Sequence, residues 1–354
     1  MPESQRLSRG ALAAITAVVL LLGAGAVVGV QRYLHEGPGT QLGNLSEEPL
    51  PQTTGSPPPP RDGAIATTGR GPQPPVDGAW FGAFAQSRGQ TPDSKAEAIG
   101  AFERQIARPL ALVHVFYSWD DVFPSAYDRS VLDDGKVLML SWAGTDTRSI
   151  ATGTYDDLIR RRAEAVRDLK MPVLFRFRWE MDRPNLAASV HSPADYVAAW
   201  KHVRKIFTDV GATNAGWVWC PIAPGFALGR AQPFYPGDDQ VDWIGADAYP
   251  GKDYSSFSDL MTPVLAWAKG HPRPVLVGEF GVRERDPGDR AAWLRAMQAF
   301  VQNQPQIKAL VYFLAKQDVK PVYDLTFDEE PDALKTLRTV VGAPSLAARP
   351  PPLR

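Results

Sequence analysis

Cysteine is nearly absent from this 354-residue chain, with Cys220 the sole example. That excludes an intramolecular disulfide framework and any cysteine-based metal site, and Cys220, at the end of an apolar run, reads as a small buried hydrophobe. Histidine is scarce as well. His35, His114, His191, His202 and His271 show no metal-ligand spacing, with His114 in a strand and His202 on a helix surface, so no metal is expected. Asp238-Asp239 beside Pro236-Gly237 reads as a turn more simply than as a calcium loop. No basic run or stripe accompanies the net charge of −1, which argues against a nucleic-acid surface. A Gly-rich phosphate loop is missing after the first β-prone run, and no Gly-x-Ser-x-Gly elbow accompanies a candidate triad. Nothing here calls for a cofactor, and nothing fixes an oligomeric state.

Charge itself is missing from Gly10 to Gln31. Some twenty apolar residues are about what a bilayer-spanning helix requires. Arg6 and Arg9 just before them favour a cytoplasmic stub over residues 1–10 and a transmembrane anchor over 11–31. A signal peptide cleaved near Ala24-Gly25-Ala26 is the rival, but such segments have apolar cores of only about 7–15 residues. Either reading puts the remainder outside the cytoplasm, tethered to the cell membrane or secreted. Residues 32–76, with Pro57-Pro58-Pro59-Pro60 and Pro74-Pro75, read as an extended linker. Residues 343–354 read as a disordered tail.

Between them, over 77–342, short apolar runs alternate with helical patterns. The runs are Ala79–Phe84, Leu110–Tyr117, Lys136–Trp142, Val173–Glu180, Ala215–Cys220, Trp243–Tyr249, Val275–Phe280 and Lys308–Leu314. Helical patterns include Tyr155–Leu169, Pro193–Val210, Phe257–Lys269 and Asp289–Gln302. Eight strands with intervening helices predict an α/β fold, the (β/α)₈ TIM barrel, which typically takes about 250 residues. A doubly wound open sheet is the alternative, weakened by the missing phosphate loop. In a barrel, the site lies at the C-terminal rim of the strands.

Two strands end there on a glutamate. In Leu174-Phe175-Arg176-Phe177-Arg178-Trp179-Glu180, strand alternation puts Arg176, Arg178 and Glu180 on one face and Phe175, Phe177 and Trp179 on the other. Charged groups within an apolar strand are costly to bury unless paired. The second strand, Val275-Leu276-Val277-Gly278-Glu279-Phe280-Gly281, delivers Glu279. Paired carboxylates at one rim suit glycosidic hydrolysis, with one as proton donor and the other acting at the anomeric carbon. A structural ion pair between Glu180 and Arg176 or Arg178 is the plainer reading. Trp119, Trp142, Trp179, Trp219 and Tyr249 also fall at strand ends, near Asp120, Asp121 and Lys316. Aromatic faces pack on pyranose rings, although each tryptophan could equally cap a core.

Arg176-Phe177-Arg178-Trp179-Glu180-Met181-Asp182 resembles the fourth-strand motif of glycoside hydrolase family 26, approximately Arg-Phe-x-His-Glu-Met-Asn. Glu279-Phe280-Gly281 is similar to that family's seventh-strand motif, and Asp242-Trp243-Ile244-Gly245 running on to Asp247-Ala248-Tyr249 resembles its sixth-strand signature. The order is right, and the resemblance spans most of 77–342. It implies a retaining glycosidase of the β-mannanase and β-glucanase type on a (β/α)₈ barrel. By the same resemblance Glu180 is the acid/base, Glu279 the nucleophile, and Tyr249 a hydrogen-bond donor to Glu279. Trp119, Trp142, Trp179 and Trp219 would contact the sugar, supported by Arg176 and Asp247. The implied partner is a polysaccharide, β-1,4-mannan first and a mixed-linkage β-glucan next.

The chain departs from the pattern in places. Trp179 replaces the usual histidine, and an indole can donate one hydrogen bond but accept none. Arg178, two residues before Glu180, would favour the ionised acid if close to it, unless paired with Asp182, Asp247 or another acid. Arg183-Pro184-Asn185 stands where family members often carry aromatic residues. The competing reading is a catalytically impaired polysaccharide-binding or export-accessory barrel.

Overall fold

A computed structural model describes residues 70–317 and 323–350. The expected stub and anchor, and the linker up to residue 69, lie outside the described residues. No helix among the described residues is long and apolar enough to cross a membrane.

Eight parallel strands close into a barrel in sequence order. They are β1 (Trp80–Ala85), β2 (Leu112–Tyr117), β3 (Val137–Trp142), β4 (Val173–Phe177), β5 (Ala215–Trp219), β6 (Trp243–Ala248), β7 (Val275–Phe280) and β8 (Ile307–Leu314). β8 pairs with β1 from Trp80↔Ala309 to Ala85↔Leu314, which completes the ring. Helices cover the outside, among them Pro92–Ile106, Asp156–Arg167, Pro193–Asp209, Phe257–Ala268, Asp289–Val301 and Pro331–Gly342. Their starts carry the expected signals. Ser192 Oγ accepts from Asp195 N at 3.1 Å with Pro193 in the first turn, and Thr91 Oγ1 accepts from Ser94 N at 3.2 Å ahead of Pro92.

Alternation along the strands sorts the core into two layers. Leu138, Leu140 and Trp142 of β3, Phe175 and Phe177 of β4, and Trp217 and Trp219 of β5 join the layer between strands and helices. Phe175 meets Phe207 and Trp217 at ring distances of 4.7 and 5.0 Å, and Phe177 meets Trp200 at 6.2 Å. The residues between them, Ser141 and Arg176 among others, point into the barrel.

The expected linker and tail both reach into the barrel structure. Gly71 lies so close to Gly216 that a Cβ on it would sit 2.4 Å from the Gly216 Cα. Lys308 Nζ donates to Val76 O at 2.8 Å. Ala79 N donates to Ser345 O at 2.8 Å, and Leu346, in a 3₁₀ turn over Pro344–Leu346, is buried. The buried Leu346, the Lys308 side-chain bond and the Ala79–Ser345 main-chain bond hold these segments against the N-terminal side of the strands.

Candidate active site

β4 ends at Phe177, earlier than the run to Glu180 predicts. Two left-handed residues follow, Arg178 at φ 47° and Glu180 at φ 52°. Non-glycine residues seldom hold that conformation, which costs on the order of 1–3 kcal/mol unless the surroundings enforce it. Here Glu180 N donates to Cys220 O at 2.7 Å and Arg178 N to Trp142 O at 3.0 Å, fixing the turn between β3 and β5.

The turn cancels the expected alternation. Trp179 lies on the same side as Arg176, with the guanidinium carbon 4.8 Å from its ring centre and Phe116 at 5.3 Å. Arg178 leaves Glu180 altogether: its guanidinium donates to Gly144 O at 3.4 Å and to Ser189 Oγ. Burial brings the Arg178 guanidinium down to about 10. The cation on Glu180 is Arg183, three residues on, with Nη1 2.7 Å from Oε2.

Glu279 reaches the interior by a different device. Ala246 pairs with Val277 and Asp247 pairs with Glu279, so Gly278 is an extra residue in β7. Such a bulge re-aims the next side chain. Only glycine fits, because a Cβ at 278 would stand 2.7 Å from both Asp247 Oδ1 and Cys220 Sγ. Turned inward, Glu279 accepts from Arg176 Nη2 at 2.5 Å and from the Tyr249 hydroxyl at 2.9 Å.

Arg176 is the hub. Its Nη1 donates to Asp247 Oδ1 and Oδ2 at 2.9 and 3.0 Å, and its Nε donates to Ser141 Oγ at 2.6 Å. Ser141 thereby keeps its own hydrogen for His114 Nε2, 2.6 Å away. Burial, reinforced by the Arg176 charge, holds His114 well below the usual imidazole range, so the ring is neutral and can accept. Burial pushes Asp247 well above the carboxylate range, opposed by Arg176 and helped by the charges of Glu279 and Glu180. Glu279 also rises through burial, with Arg176 and Tyr249 pulling it back and Glu180 adding to the rise. Burial raises the Cys220 thiol, whose Sγ lies 3.2 Å from Asp247 Oδ1.

Asp182, where the resembling motif has asparagine, accepts from Ile222 N at 3.1 Å, and Gly225 makes room for its second oxygen. Burial lifts its carboxyl to about 7, with the neighbouring Glu180 charge adding to the rise. A protonated Asp182 presents the neutral polar surface that an amide would.

Of the residues marked by sequence, the structure brings Arg176, Trp179, Glu180, Asp247, Tyr249 and Glu279 together. It does not bring in Trp142 and Trp219. Both are 0 % exposed. Trp142 packs between Phe123 and Phe177, and Trp219 among Phe226, Tyr235 and Trp267 on the helix side. Burying an indole stabilises the fold by on the order of 4 kcal/mol, and a ring so enclosed has no face for a sugar. Trp119 stacks on Trp142 at 4.3 Å and is 8 % exposed, which ties it to the same layer. The aromatic wall beside the carboxylates is instead Phe84, Phe116, Phe313, Trp179, Tyr249 and Tyr323, with Phe84 on Phe313 at 4.8 Å and Tyr249 near Tyr323 at 6.4 Å. Tyr323 was not marked by the sequence. Burial raises its phenol, with Tyr312, Glu279 and Glu180 adding to the rise and Arg283 opposing it.

Comparisons with known proteins bear on the family and the fold. The profile described as "Glycosyl hydrolase family 26" matches residues 127–312, more than half of the chain. The sequence is similar to "Endoglucanase H" of Acetivibrio thermocellus, 26% identical over 290 residues, covering 76% of this chain and 30% of that protein. It is also similar to "Beta-1,3-xylanase TXYA" of a Vibrio species, 26% identical over 201 residues and covering 49% and 42% respectively. The chain thus spans less than half of the length of either relative. Among solved structures, a β-mannanase from a symbiotic protist of the termite Reticulitermes speratus superposes with a TM-score of 0.59 at 16% identity, covering 83% of this chain and 100% of the other. The catalytic domain of the Bacillus sp. JAMB-750 endo-β-1,4-mannanase gives 0.59 at 14% identity, covering 80% and 95%. At such identities the structural likeness speaks for the fold.

Proposed function

Because this chain belongs to glycosyl hydrolase family 26, we propose that it is a retaining glycosidase that cleaves β-linked polysaccharide with Glu180 as acid/base and Glu279 as nucleophile. The observation that carries the reading is the convergence on Glu279. One buried oxygen is held by Arg176 and the other by the Tyr249 hydroxyl. Both donors favour the carboxylate, the form that can attack carbon, against the burial that opposes it.

In the first step Glu279 attacks the anomeric carbon as Glu180 gives its proton to the departing glycosidic oxygen. The leaving saccharide departs as an alcohol, and the glycosyl group stays on Glu279 as an ester. Water then attacks the same carbon, losing its proton to Glu180, and Glu279 is released as a carboxylate. Two displacements return the original configuration. Trp179 and Phe116 give the sugar an apolar face, and Arg176 stays in place throughout, since its charge is needed whenever Glu279 is ionised.

A β-1,4-mannan is the first substrate, by likeness of fold to mannanases, with β-glucans and β-1,3-xylan as the next candidates from the sequence relatives. The apolar stretch ahead of the linker supports work at the outer face of the cell membrane. The test is reducing-end release from mannan, glucan and xylan by the parent, Glu180→Ala and Glu279→Ala proteins. Turnover by the parent alone supports the proposal. Retention of a polysaccharide in affinity gels without turnover by a folded parent sinks it in favour of the binding barrel.

A further inference from the structure

Arg178 is buried, yet its hydrogen-bond partners among the described residues are a carbonyl and a hydroxyl, not an acid. Its Nη1 donates to Gly144 O at 3.4 Å and its Nη2 to Ser189 Oγ, while Nε has no acceptor among the described residues. Burying a cation without a bonded anion is costly, and a methionine of similar length would avoid the cost. A guanidinium can do what methionine cannot, which is to join polar groups on two different segments.

Those two segments flank the proton donor of the proposed reaction. Gly144 stands two residues beyond β3, and Ser189 lies in the short helix Ala187–Val190. That helix is the far end of a loop whose near end meets Glu180. There Arg183 N donates to Glu180 O at 3.1 Å, and Arg183 Nη1 lies 2.7 Å from Glu180 Oε2. Ser189 Oγ donates in turn to Leu186 O at 3.2 Å, so the bond from Arg178 is relayed to the 3₁₀ turn Pro184–Leu186. Thr147 Oγ1, donating to Val190 O at 2.9 Å, and Asp146 Oδ2, 2.5 Å from His191 Nε2, tie the far end to the segment after β3. Arg178 ties it to the turn that carries Glu180. The fit is close: a Cβ on residue 144 would stand 2.3 Å from Arg178 Cδ, so glycine there makes room for the side chain.

We propose that Arg178 is a positioning residue for the proton donor, fastening Gly144 and Ser189 to the left-handed turn so that Glu180 meets the departing glycosidic oxygen. Its action goes through Glu180. The inference rests on the glycosidase reading and adds a residue to it.

The test uses the full-length protein and two leaving groups, phenyl and 2,4-dinitrophenyl, on β-mannobiosides and β-cellobiosides. Dinitrophenolate departs without a proton, whereas phenolate needs one, and kcat/KM reports the step in which that proton is given. Arg178→Met should lower kcat/KM on the phenyl glycoside by roughly tenfold to a hundredfold, the scale of a displacement of about 1 Å. On the dinitrophenyl glycoside it should stay within about threefold of the parent. Arg178→Lys should recover part of the loss, since an ammonium keeps the charge but cannot span both acceptors as the fork does. Gly144→Ala, which displaces the side chain and leaves its charge intact, should give the same split. Should Arg178→Met fail to fold, Ser189→Ala at its half-buried position carries the test, with a split of roughly threefold to tenfold. Equal losses on both leaving groups would mark a general disturbance and overturn the proposal, as would no loss on either. Glu180→Ala, measured beside them, separates the two levels. A split there but not in the Arg178, Gly144 and Ser189 variants overturns the positioning role alone. No split in Glu180→Ala, or a parent inactive on every glycoside, overturns the acid/base reading and the positioning role with it.

Discussion

Replacing Arg176 with methionine exposes how the barrel interior is held. The substitution keeps length and apolar bulk but leaves Asp247 and Glu279 facing each other without the cation between them. Arg176 and Asp247 are fully buried and Glu279 nearly so, so solvent cannot screen what remains. Breaking a buried pair by removing one partner costs about 3–5 kcal/mol. The loss depends on pH in a defined direction. Burial already raises both carboxyls above their unfolded values, so the native state holds protons that the unfolded chain releases. Stability therefore falls as pH climbs from the ordinary carboxylate range through the folded values. Arg176 opposes that rise, and its removal extends the falling window upward. Urea unfolding followed by tryptophan fluorescence should show Arg176→Met destabilised at both ends, with the deficit at about pH 8 exceeding that at about pH 5 by roughly 2 kcal/mol. Adding Asp247→Asn should recover part of the deficit at the higher pH. Equal loss at both values, or no loss, would refute the ion-pair account of the core.

Two further substitutions test the local geometry. Gly278→Ala places a Cβ 2.7 Å from Asp247 Oδ1 and Cys220 Sγ, atoms locked in the network, and should cost about 1–3 kcal/mol along with most of the activity. Gly342→Ala, with nothing within 4 Å of its Cβ, should stay within about 0.5 kcal/mol of the parent by the same urea unfolding. Asp182→Asn should flatten the pH dependence of stability. A carboxyl raised from 3.8 to about 7 withdraws stability as pH rises through that interval, by up to roughly 4 kcal/mol, and the amide has no proton to lose. A variant as pH-dependent as the parent would show that Asp182 is ionised when folded.

Much of the architecture was legible because apolar runs and helix signals recur in register with eight strands. The two strand-terminal glutamates and Arg176 were legible for the same reason, since charges within an apolar strand need partners. The tryptophans show a signal present but unread. Trp142 shares its parity with Leu138 and Leu140, and Trp219 with Trp217, so alternation already put both on the helix side. Other features left no trace. Left-handed residues at 178 and 180 have no glycine to announce them, and they turned Trp179 inward and carried Arg178 away from Glu180. The bulge at Gly278 is visible as a glycine in a strand, but its consequence for Glu279 needs the register with β6. Arg183 entered only as a departure from a motif, because its meeting with Glu180 depends on that same left-handed turn.

The division of labour between the two glutamates is tested most directly by azide rescue. Glu180→Ala and Glu279→Ala proteins would each be given an activated aryl β-glycoside with sodium azide, and the product's anomeric configuration read by proton NMR. The account predicts β-glycosyl azide from Glu180→Ala, because azide attacks the ester on Glu279, and α-glycosyl azide from Glu279→Ala, because azide fills the nucleophile's place. The reverse pattern, or the same anomer from both, would contradict it.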